Sequence, residues 1–233
     1  MYLLYAVIAG LSDLLAGWWT LKQSKAGLPL EPRYIIAFAA GVLLAVTSFD
    51  ILPEINPQRD SLFLALGFVS FYVLEKLMMI HSCGESECET HQIGPLAVFG
   101  MALDNIVDGM GIAVGYALNP VLGLVITIAV VFHEIPQGIT SAILMRAAGW
   151  ARARMFGMLS LAGALYPLGA LLAGLIPEQF VQVALAFIAG DFIYIGASDL
   201  LPEAHRRFNF KVIFSVLLGM VFMLALKLLV PIG

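Results

Sequence analysis

Apolar segments long enough to cross a bilayer as helices recur along the whole chain, and this recurrence restricts the fold more than any other feature. A helix that crosses about 30 Å of hydrocarbon needs about 20 apolar residues. Only 12% of the 233 residues are charged, whereas soluble domains average about 25%. The sequence therefore predicts an all-α integral membrane protein with eight transmembrane spans, near residues 3–20, 34–52, 61–80, 94–118, 121–145, 153–176, 180–201 and 211–231.

The connections between these spans predict a single domain and an orientation. Links as short as Asn119-Pro120 leave no room for a soluble domain, so residues 1–233 are expected to form one transmembrane domain without a nucleic-acid partner. No basic segment precedes the first span and no clear cleavage site follows it, so we expect no removable signal peptide. Positive charge accumulates on the cytoplasmic side of membrane proteins. Ten of the twelve basic residues flank the odd-numbered connections, which predicts a multi-pass protein of the cell (inner or plasma) membrane with both termini outside: Lys22, Lys25, Arg33, Lys76, Arg146, Arg152, Arg154, Arg206, Arg207 and Lys211.

The third connection, residues 81–92, combines soft metal ligands with acidic residues. It contains His81, Cys83, Cys88 and His91. Thiols stay reduced in the cytosol, where two thiolates and two imidazoles can hold a metal ion. The sequence leaves two interpretations open, a cytoplasmic metal-binding tether and a polar loop without a ligand.

Two pairs of spans repeat each other. Asp50-Ile-Leu-Pro-Glu54 closes the second span, and Asp199-Leu-Leu-Pro-Glu203 closes the seventh. The two motifs end on opposite sides of the membrane in the predicted topology, which is typical of an inverted repeat. We therefore expect spans 1–3 and 6–8 to be related in this way around the central spans 4 and 5.

The central spans carry matched polar segments about halfway across the bilayer. Asp104-Asn105-Ile-Val-Asp108-Gly109 lies in span four, and His133-Glu134-Ile-Pro-Gln137-Gly138 lies in span five. Their first, second and fifth positions are polar and share one helical face. An ionised carboxylate at a helix centre costs roughly 2.5–3.5 kcal/mol to insert. No Lys or Arg lies near the middle of a span, so a bound divalent cation, or protonation, must offset this cost. Pro136 and Pro167, which free the carbonyls of residues 132 and 163, suit an ion path.

These segments resemble the signatures of the ZIP (Zrt/Irt-like protein) family of divalent metal transporters, especially its small prokaryotic members. Family members show His-Asn-x-x-Asp/Glu-Gly in span four and His/Gln-Glu/Asp-Ile-Pro-Glu/His in span five. The resemblance extends to the Phe-Ala-Ala-Gly to Leu-Pro-Glu pattern at 38–54 and to the Tyr-Val-Leu-Glu-Lys run at 72–76. It implies a transporter rather than an enzyme, in a homodimer, that moves divalent ions to the cytosol.

The resemblance also implies a binuclear centre and a path through it. One metal position would be lined by Asp104, Asp108, His133 and Gln137. The neighbouring position would be lined by Asn105, Asp108, Glu134 and Gln137. The outer entrance would hold Asp50 and Glu54, and the inner exit would hold Asp191, Asp199, Glu203 and His205.

Several residues depart from the family pattern. Asp104 replaces a His, Gln137 replaces a Glu or His, and Tyr166 stands where many prokaryotic members have a Glu. A Met that some members supply from span two is missing from residues 34–52. The sequence thus predicts one firmly held ion and leaves the second position open. Zn²⁺ is the default substrate, and the additional oxygen ligands bring Mn²⁺, Fe²⁺, cobalt or cadmium into range.

Two other functions compete with transport. A metal-binding membrane sensor or non-transporting homologue would keep the same central ligands. An intramembrane metalloprotease would use a His-Glu-x-x-His helix. The chain has Gln137 at the fifth position of that pattern and Pro136 before it, so the protease is a remote alternative.

Overall fold

The computed structural model describes residues 1–23, 32–83, 95–205 and 209–229, of which residues 32, 78–83 and 95–102 are described by their backbone alone. This part of the chain is helical and contains no strand, which confirms the predicted all-α class. The helices are α1 Tyr2–Lys22, α2 Pro32–Val46, α3 Pro57–Cys83, α4 Pro95–Leu118, α5 Pro120–Ala147, α6 Arg152–Ala173, α7 Val181–Ile193, α8 Leu201–Ala204 and α9 Phe210–Leu229.

Within the described ranges, six helical stretches are long and apolar enough to cross a membrane. The other two predicted spans are helical as well, as α3 and α4, but do not belong to these six. The charged residues of α3 include Arg59, Asp60, Glu75 and Lys76. The six stretches are Tyr2–Lys22, Arg33–Glu54, Pro120–Ala147, Arg152–Ala173, Glu178–Ala204 and Phe210–Leu229.

Proline and asparagine mark the helix starts. Helices α2, α3, α4 and α5 all begin at a proline, whose fixed φ suits the first helical turn and whose missing N–H would be unpaired there anyway. Before α5, the backbone N–H of Val121 donates to Oδ1 of Asn119 at 2.8 Å. Pro136 lies inside α5 without ending it, so the central helix stays continuous through the polar segment.

The two Leu-Pro-Glu motifs follow matched π-helical turns. One turn spans Thr47–Ile51 after α2, and the other spans Tyr194–Leu200 after α7. A π-helical turn holds an extra residue and is frequent at functional sites. Asp50 and Asp199 lie in these turns. The aspartates of the two motifs thus share a π-helical backbone, whereas Leu52–Glu54 continues as a 3₁₀ turn and Leu201–Ala204 as the short helix α8.

Helix packing follows the same correspondence. Helix α1 packs against α5 and α6, and α4 also packs against α5 and α6. Helix α2 packs against α9, and α3 packs against α7. Exchanging α1 with α6, α2 with α7, α3 with α9 and α4 with α5 converts the α1–α5 contact into α4–α6 and the α2–α9 contact into α3–α7, and leaves the α1–α6 and α4–α5 contacts unchanged. The two halves of the chain therefore make equivalent contacts.

Glycines hold these pairs in the same register. A Cβ built on Gly41 would lie 2.1 Å from the carbonyl oxygen of Val216, and one built on Gly190 would lie 1.9 Å from that of Leu64. Gly41 and Gly190 each precede the Asp of their motif by nine residues. Real Cβ atoms do not approach this closely, so glycine is required where the helices cross.

Candidate metal centre

Helices α4 and α5 bring four of the predicted ligands together. One ligand atom from each of Asp104, Asp108, His133 and Glu134 lies within 4.8 Å of the others. Asp108, His133 and Glu134 are fully buried, and Asp104 is 9% exposed. The spacing at positions one, two and five of each segment places these side chains on the facing sides of two packed helices. The group therefore has the composition and compactness of a metal site.

The ring of His133 is oriented by a backbone carbonyl and directs Nε2 at two carboxylates. Its Nδ1 lies 3.1 Å from the carbonyl oxygen of Ala129, an acceptor that requires the N–H on Nδ1. Nε2 lies 3.0 Å from Oε1 of Glu134 and 3.3 Å from Oδ2 of Asp108. With the ring neutral, Nε2 is a third acceptor beside these two oxygens, an arrangement that a cation stabilises.

The carboxylates of Asp108 and Glu134 have no hydrogen-bond donors among the described residues. Both carboxylate oxygens of Asp108 and of Glu134, together with Nε2 of His133, are buried without a hydrogen-bond partner among the described residues. Buried acceptors of this kind are rare because desolvation makes them unfavourable. Their convergence favours a ligand that supplies positive charge.

The two amides of the motifs bridge α4 and α5. Nε2 of Gln137 donates to Oδ1 of Asn105 at 3.2 Å, and Nδ2 of Asn105 donates to the carbonyl oxygen of Ala162 in α6 at 3.1 Å. Asn105 is 1% exposed. Both predicted amide ligands thus lie at the edge of the carboxylate group and tie it to α6.

Asp13 of α1 is a site residue that the sequence analysis missed. It is 2% exposed, and its charge interacts with Glu134, His133 and Asp108. The sequence did contain one indication of this residue. It is the single carboxylate in the middle of an otherwise apolar span, but it belongs to no repeated motif.

Asp191 of α7 lies beside the centre. It is fully buried, and its charge interacts with Asp104 and Asp108. Neither of its oxygens has a hydrogen-bond partner in the described ranges. The structure therefore places this predicted exit residue next to the ligands.

A cavity of about 240 Å³ connects the centre to the end of the bundle that carries Asp199 and Glu203. It reaches Asp104 and Gln137, so it opens directly onto the ligand group. Its lining comprises Ile36, Phe71, Leu74, Glu75, Asp104, Pro136, Gln137, Thr140, Tyr194, Ile195, Asp199, Leu200 and Glu203. Glu75 is a second residue that the sequence analysis did not single out. His205 follows α8, with Nδ1 3.0 Å from the carbonyl oxygen of Leu201.

An ion pair lies at the opposite end of the bundle. Nζ of Lys227 in α9 lies 3.0 Å from Oδ1 of Asp50, whose side chain is 2% exposed, and Lys227 also donates to the carbonyl of Phe49. Gly219 of α9 meets the carbonyl oxygen of Phe38 in α2, as Gly67 of α3 meets that of Phe187 in α7. Lys227 and Glu75 each follow their glycine by eight residues. The matched positions therefore place a lysine next to Asp50 and a glutamate near Asp199, while Glu54 is exposed at the Asp50 end.

The four candidate metal ligands of the third connection have no described side chains. Cys88 and His91 are outside the described residues, as are the side chains of His81 and Cys83. The metal-binding tether stays a prediction.

The fold and the buried ligand group define a multi-pass membrane protein with the side chains of a metal site in its core. The family model of the ZIP zinc transporters matches residues 80–227, which is more than half of the chain. The chain belongs to the ZIP family, and the resemblance seen in its motifs is confirmed.

Relatives come from animals, yeast and bacteria. Zinc transporter ZIP13 of Pongo abelii is 29% identical over 213 residues, covering 81% of this chain and 60% of that protein. Zinc transporter YKE4 of Saccharomyces cerevisiae is 24% identical over 226 residues, covering 78% and 63%. Zinc transporter ZupT of Corynebacterium aurimucosum is 25% identical over 231 residues, covering 86% and 85%. The chain spans 60% to 65% of the length of its ZIP13 relatives.

Proposed function

We propose that the protein transports divalent transition-metal ions across the membrane toward the cytosol, with Zn²⁺ as the default substrate. The observation that carries this proposal is the group of Asp108, His133 and Glu134, whose buried acceptors face one another without donors among the described residues. Mixed carboxylate and imidazole ligands suit Zn²⁺, Fe²⁺ and Mn²⁺. The printed names of the ZIP13, YKE4 and ZupT relatives are those of zinc transporters.

In this proposal α3 and α4 also cross the membrane, which completes eight spans. Helix α3 has 27 residues and α4 has 24, enough for the hydrocarbon core. Each packs against helices that qualify as spans on their own, α7 for the first and α6 for the second. The matched packing of the two halves supports an inverted repeat, with the metal site near the midplane.

The proposed direction of transport rests on the distribution of basic residues and on the position of the cavity. The cavity that reaches Asp104 and Gln137 opens at the end where the basic connections are expected, the cytoplasmic side. At the other end Lys227 pairs with Asp50, and in this proposal that ion pair blocks the path from outside. The structure would then be the inward-open state of a cell-membrane transporter whose termini are outside, and a homodimer is the expected assembly.

Uptake into proteoliposomes tests this function. Vesicles containing the wild-type protein are expected to accumulate Zn²⁺, followed with a trapped fluorescent indicator, whereas Glu134→Gln is expected to lose at least about tenfold in rate because a neutral amide replaces a buried ligand. Empty vesicles and Thr20→Val, which removes a buried hydroxyl of α1 away from the centre, serve as controls. Wild-type vesicles that take up none of Zn²⁺, Mn²⁺ or Fe²⁺ would refute transport.

Asp199→Asn is expected to slow uptake while leaving equilibrium binding at the centre nearly unchanged. Asp199 lies along the cavity rather than in the ligand group, so its charge should guide an ion that leaves. A roughly threefold to tenfold lower rate fits the loss of one charge in a focused field. The rate and the binding isotherm are measured on the same preparation, with Glu178→Gln as a control between α6 and α7. Equal loss of binding and rate would place Asp199 among the ligands instead.

A further inference from the structure

The three tryptophans of the chain all lie at one end of the bundle. Trp18 and Trp19 belong to the last turns of α1, and Trp150 lies in the connection between α5 and α6. The adjoining ends of α1, α5 and α6 share one hydrophobic cluster, against which Trp150 packs. Tryptophan is usually enriched at both membrane interfaces, so its concentration at one end distinguishes that surface from the other.

The position of Trp150 is fixed by the way α5 ends. The backbone N–H of Trp150 donates to the carbonyl oxygen of Met145 at 3.1 Å. The N–H of Gly149 donates to the carbonyl oxygen of Arg146, also at 3.1 Å, and Gly149 has a φ of 73°. These two bonds and the left-handed glycine form a Schellman motif. The indole is therefore held by the backbone as well as by the hydrophobic cluster.

Two of the tryptophans each carry a stacked cation. Nζ of Lys22 lies 3.5 Å from the ring centre of Trp18, and Cζ of Arg154 lies 3.9 Å from that of Trp150. In both pairs the cation follows its tryptophan by four residues. An aromatic face attracts a cation and restricts where a long side chain places its charge. Both positive charges are thus held at the depth of the indole rings.

Arg146 adds a third positive charge at the end of α1. Its Nη2 donates to the carbonyl oxygen of Thr20 at 2.6 Å, and its Nη1 donates to that of Gln23 at 3.4 Å. The last carbonyls of a helix attract cations. These contacts orient the guanidinium and leave its net charge in place, because a carbonyl is neutral.

The basic residues at this end form no ion pair among the described residues. The sequence has no Asp or Glu in residues 14–30 or 135–177, which include the ends of all three helices. The positive charge therefore has no acidic neighbour along these segments. The basic residues concerned are Lys22, Arg146, Arg152 and Arg154.

Exposed apolar side chains continue from the stacked cations toward the middle of the bilayer. On α1, Leu15 and Leu11 precede Lys22 by seven and eleven residues and are exposed. On α6, Leu161 follows Arg154 by seven residues and is exposed as well. These spacings keep each set on one helical face. Both helices thus present a cation and then an apolar surface, the order in which a phospholipid presents its phosphate and its acyl chains.

We propose that this end of α1, α5 and α6 binds an anionic phospholipid, with Lys22 and Arg154 as the cations that contact its phosphate. The two residues lie on helices that pack against each other. Guanidinium matches the geometry of phosphate oxygens, and basic sites beside transmembrane helices bind anionic headgroups. In the orientation of the proposed function this end faces the cytosol, where anionic lipids are enriched. The lipid site is separate from the metal ligands.

Tryptophan fluorescence tests this site directly, because every tryptophan of the chain lies at this surface. The full chain is reconstituted in phosphatidylcholine vesicles that contain increasing fractions of phosphatidylglycerol brominated on its acyl chains, a quencher of indole. Brominated phosphatidylcholine serves as the reference lipid. A single juxtamembrane cation adds about a fivefold preference for anionic lipid, so half-maximal quenching should need at least about fivefold less phosphatidylglycerol than phosphatidylcholine.

Charge-neutral variants locate the preference. Lys22→Gln combined with Arg154→Gln is expected to bring the two quenching curves to within about twofold of each other. Arg33→Gln combined with Lys211→Gln removes the same charge from the same predicted side of the membrane and should keep the wild-type preference. Both double variants should remain monodisperse in size-exclusion chromatography.

Three results would overturn the lipid site while leaving the proposed function intact. Equal quenching of the wild type by the two brominated lipids would show that it has no preference, and this comparison needs no variant. Equal loss of preference in the two double variants would show a general effect of surface charge. Tryptophans that neither lipid quenches would show that another copy of the chain covers this surface.

Discussion

Asp108→Ala is expected to abolish metal binding and uptake together. Asp108 is fully buried at the middle of the ligand group, with Oδ2 3.3 Å from Nε2 of His133. Losing an outer partner of a metal site already lowers affinity roughly 10- to 100-fold, so removal of this inner carboxylate should lower it by at least about a hundredfold. Calorimetry with Zn²⁺ and the vesicle uptake assay measure both effects.

Asp60→Ala is the matched control for that substitution. Asp60 is also a fully buried aspartate, but it pairs with Arg59 at 2.7 Å near the start of α3. Its loss can weaken the fold without touching the ligands, so metal affinity should stay close to that of the wild type. Full uptake by Asp108→Ala, or equal losses in the two variants, would contradict the assignment of Asp108 as a ligand.

Gly41→Val is expected to prevent folding. The carbonyl oxygen of Val216 occupies the space 2.1 Å from a Cβ at this position, and a backbone carbonyl cannot swing aside as a side chain can. Overpacking at a site that relaxes usually costs about 1–3 kcal/mol, and the forced separation of α2 from α9 should cost more. Loss of monodisperse protein in size-exclusion chromatography, or a large drop in thermal midpoint, reports the effect.

Gly157→Val separates this steric effect from the general cost of changing a helical glycine. Gly157 lies in α6 with no heavy atom within 4 Å of a Cβ built on it, apart from its own helix and neighbours. The variant should remain monodisperse, with a thermal midpoint near that of the wild type. A Gly41→Val protein as stable as Gly157→Val would contradict the close contact between α2 and α9.

Periodicity and repeated motifs were enough to predict much of the fold and the centre of the site. Long apolar segments predicted the helices because crossing a bilayer demands length and apolar composition. The paired segments that begin at Asp104 and His133 predicted which residues would meet, since equal spacing on two packed helices brings equal faces together. The structure groups Asp104, Asp108, His133 and Glu134 accordingly.

The remaining features depend on packing that a sequence does not display. Asp13 lies in no motif, and its position beside α5 becomes visible only in its packing against Gly138. Glu75 precedes Lys76, with which it pairs at 2.9 Å, so the sequence resembles an ordinary pair of charges. The π-helical turns at Asp50 and Asp199 could not be predicted either, because no characteristic residue composition marks a turn with one extra residue.

The exchange of Lys227 for Glu75 between matched positions gives the two ends of a symmetric scaffold opposite local charge. In the proposed transporter, a lysine that competes for Asp50 at one end and a glutamate that attracts cations at the other would give the two ends different affinities for a cation. The direction of net flow is still set by the electrochemical gradient of the ion, because fixed charges change how readily an ion enters from each side and not the equilibrium between the sides. Exchanging the charges at residues 75 and 227 should therefore exchange the half-saturating concentrations of the two sides without reversing net flow.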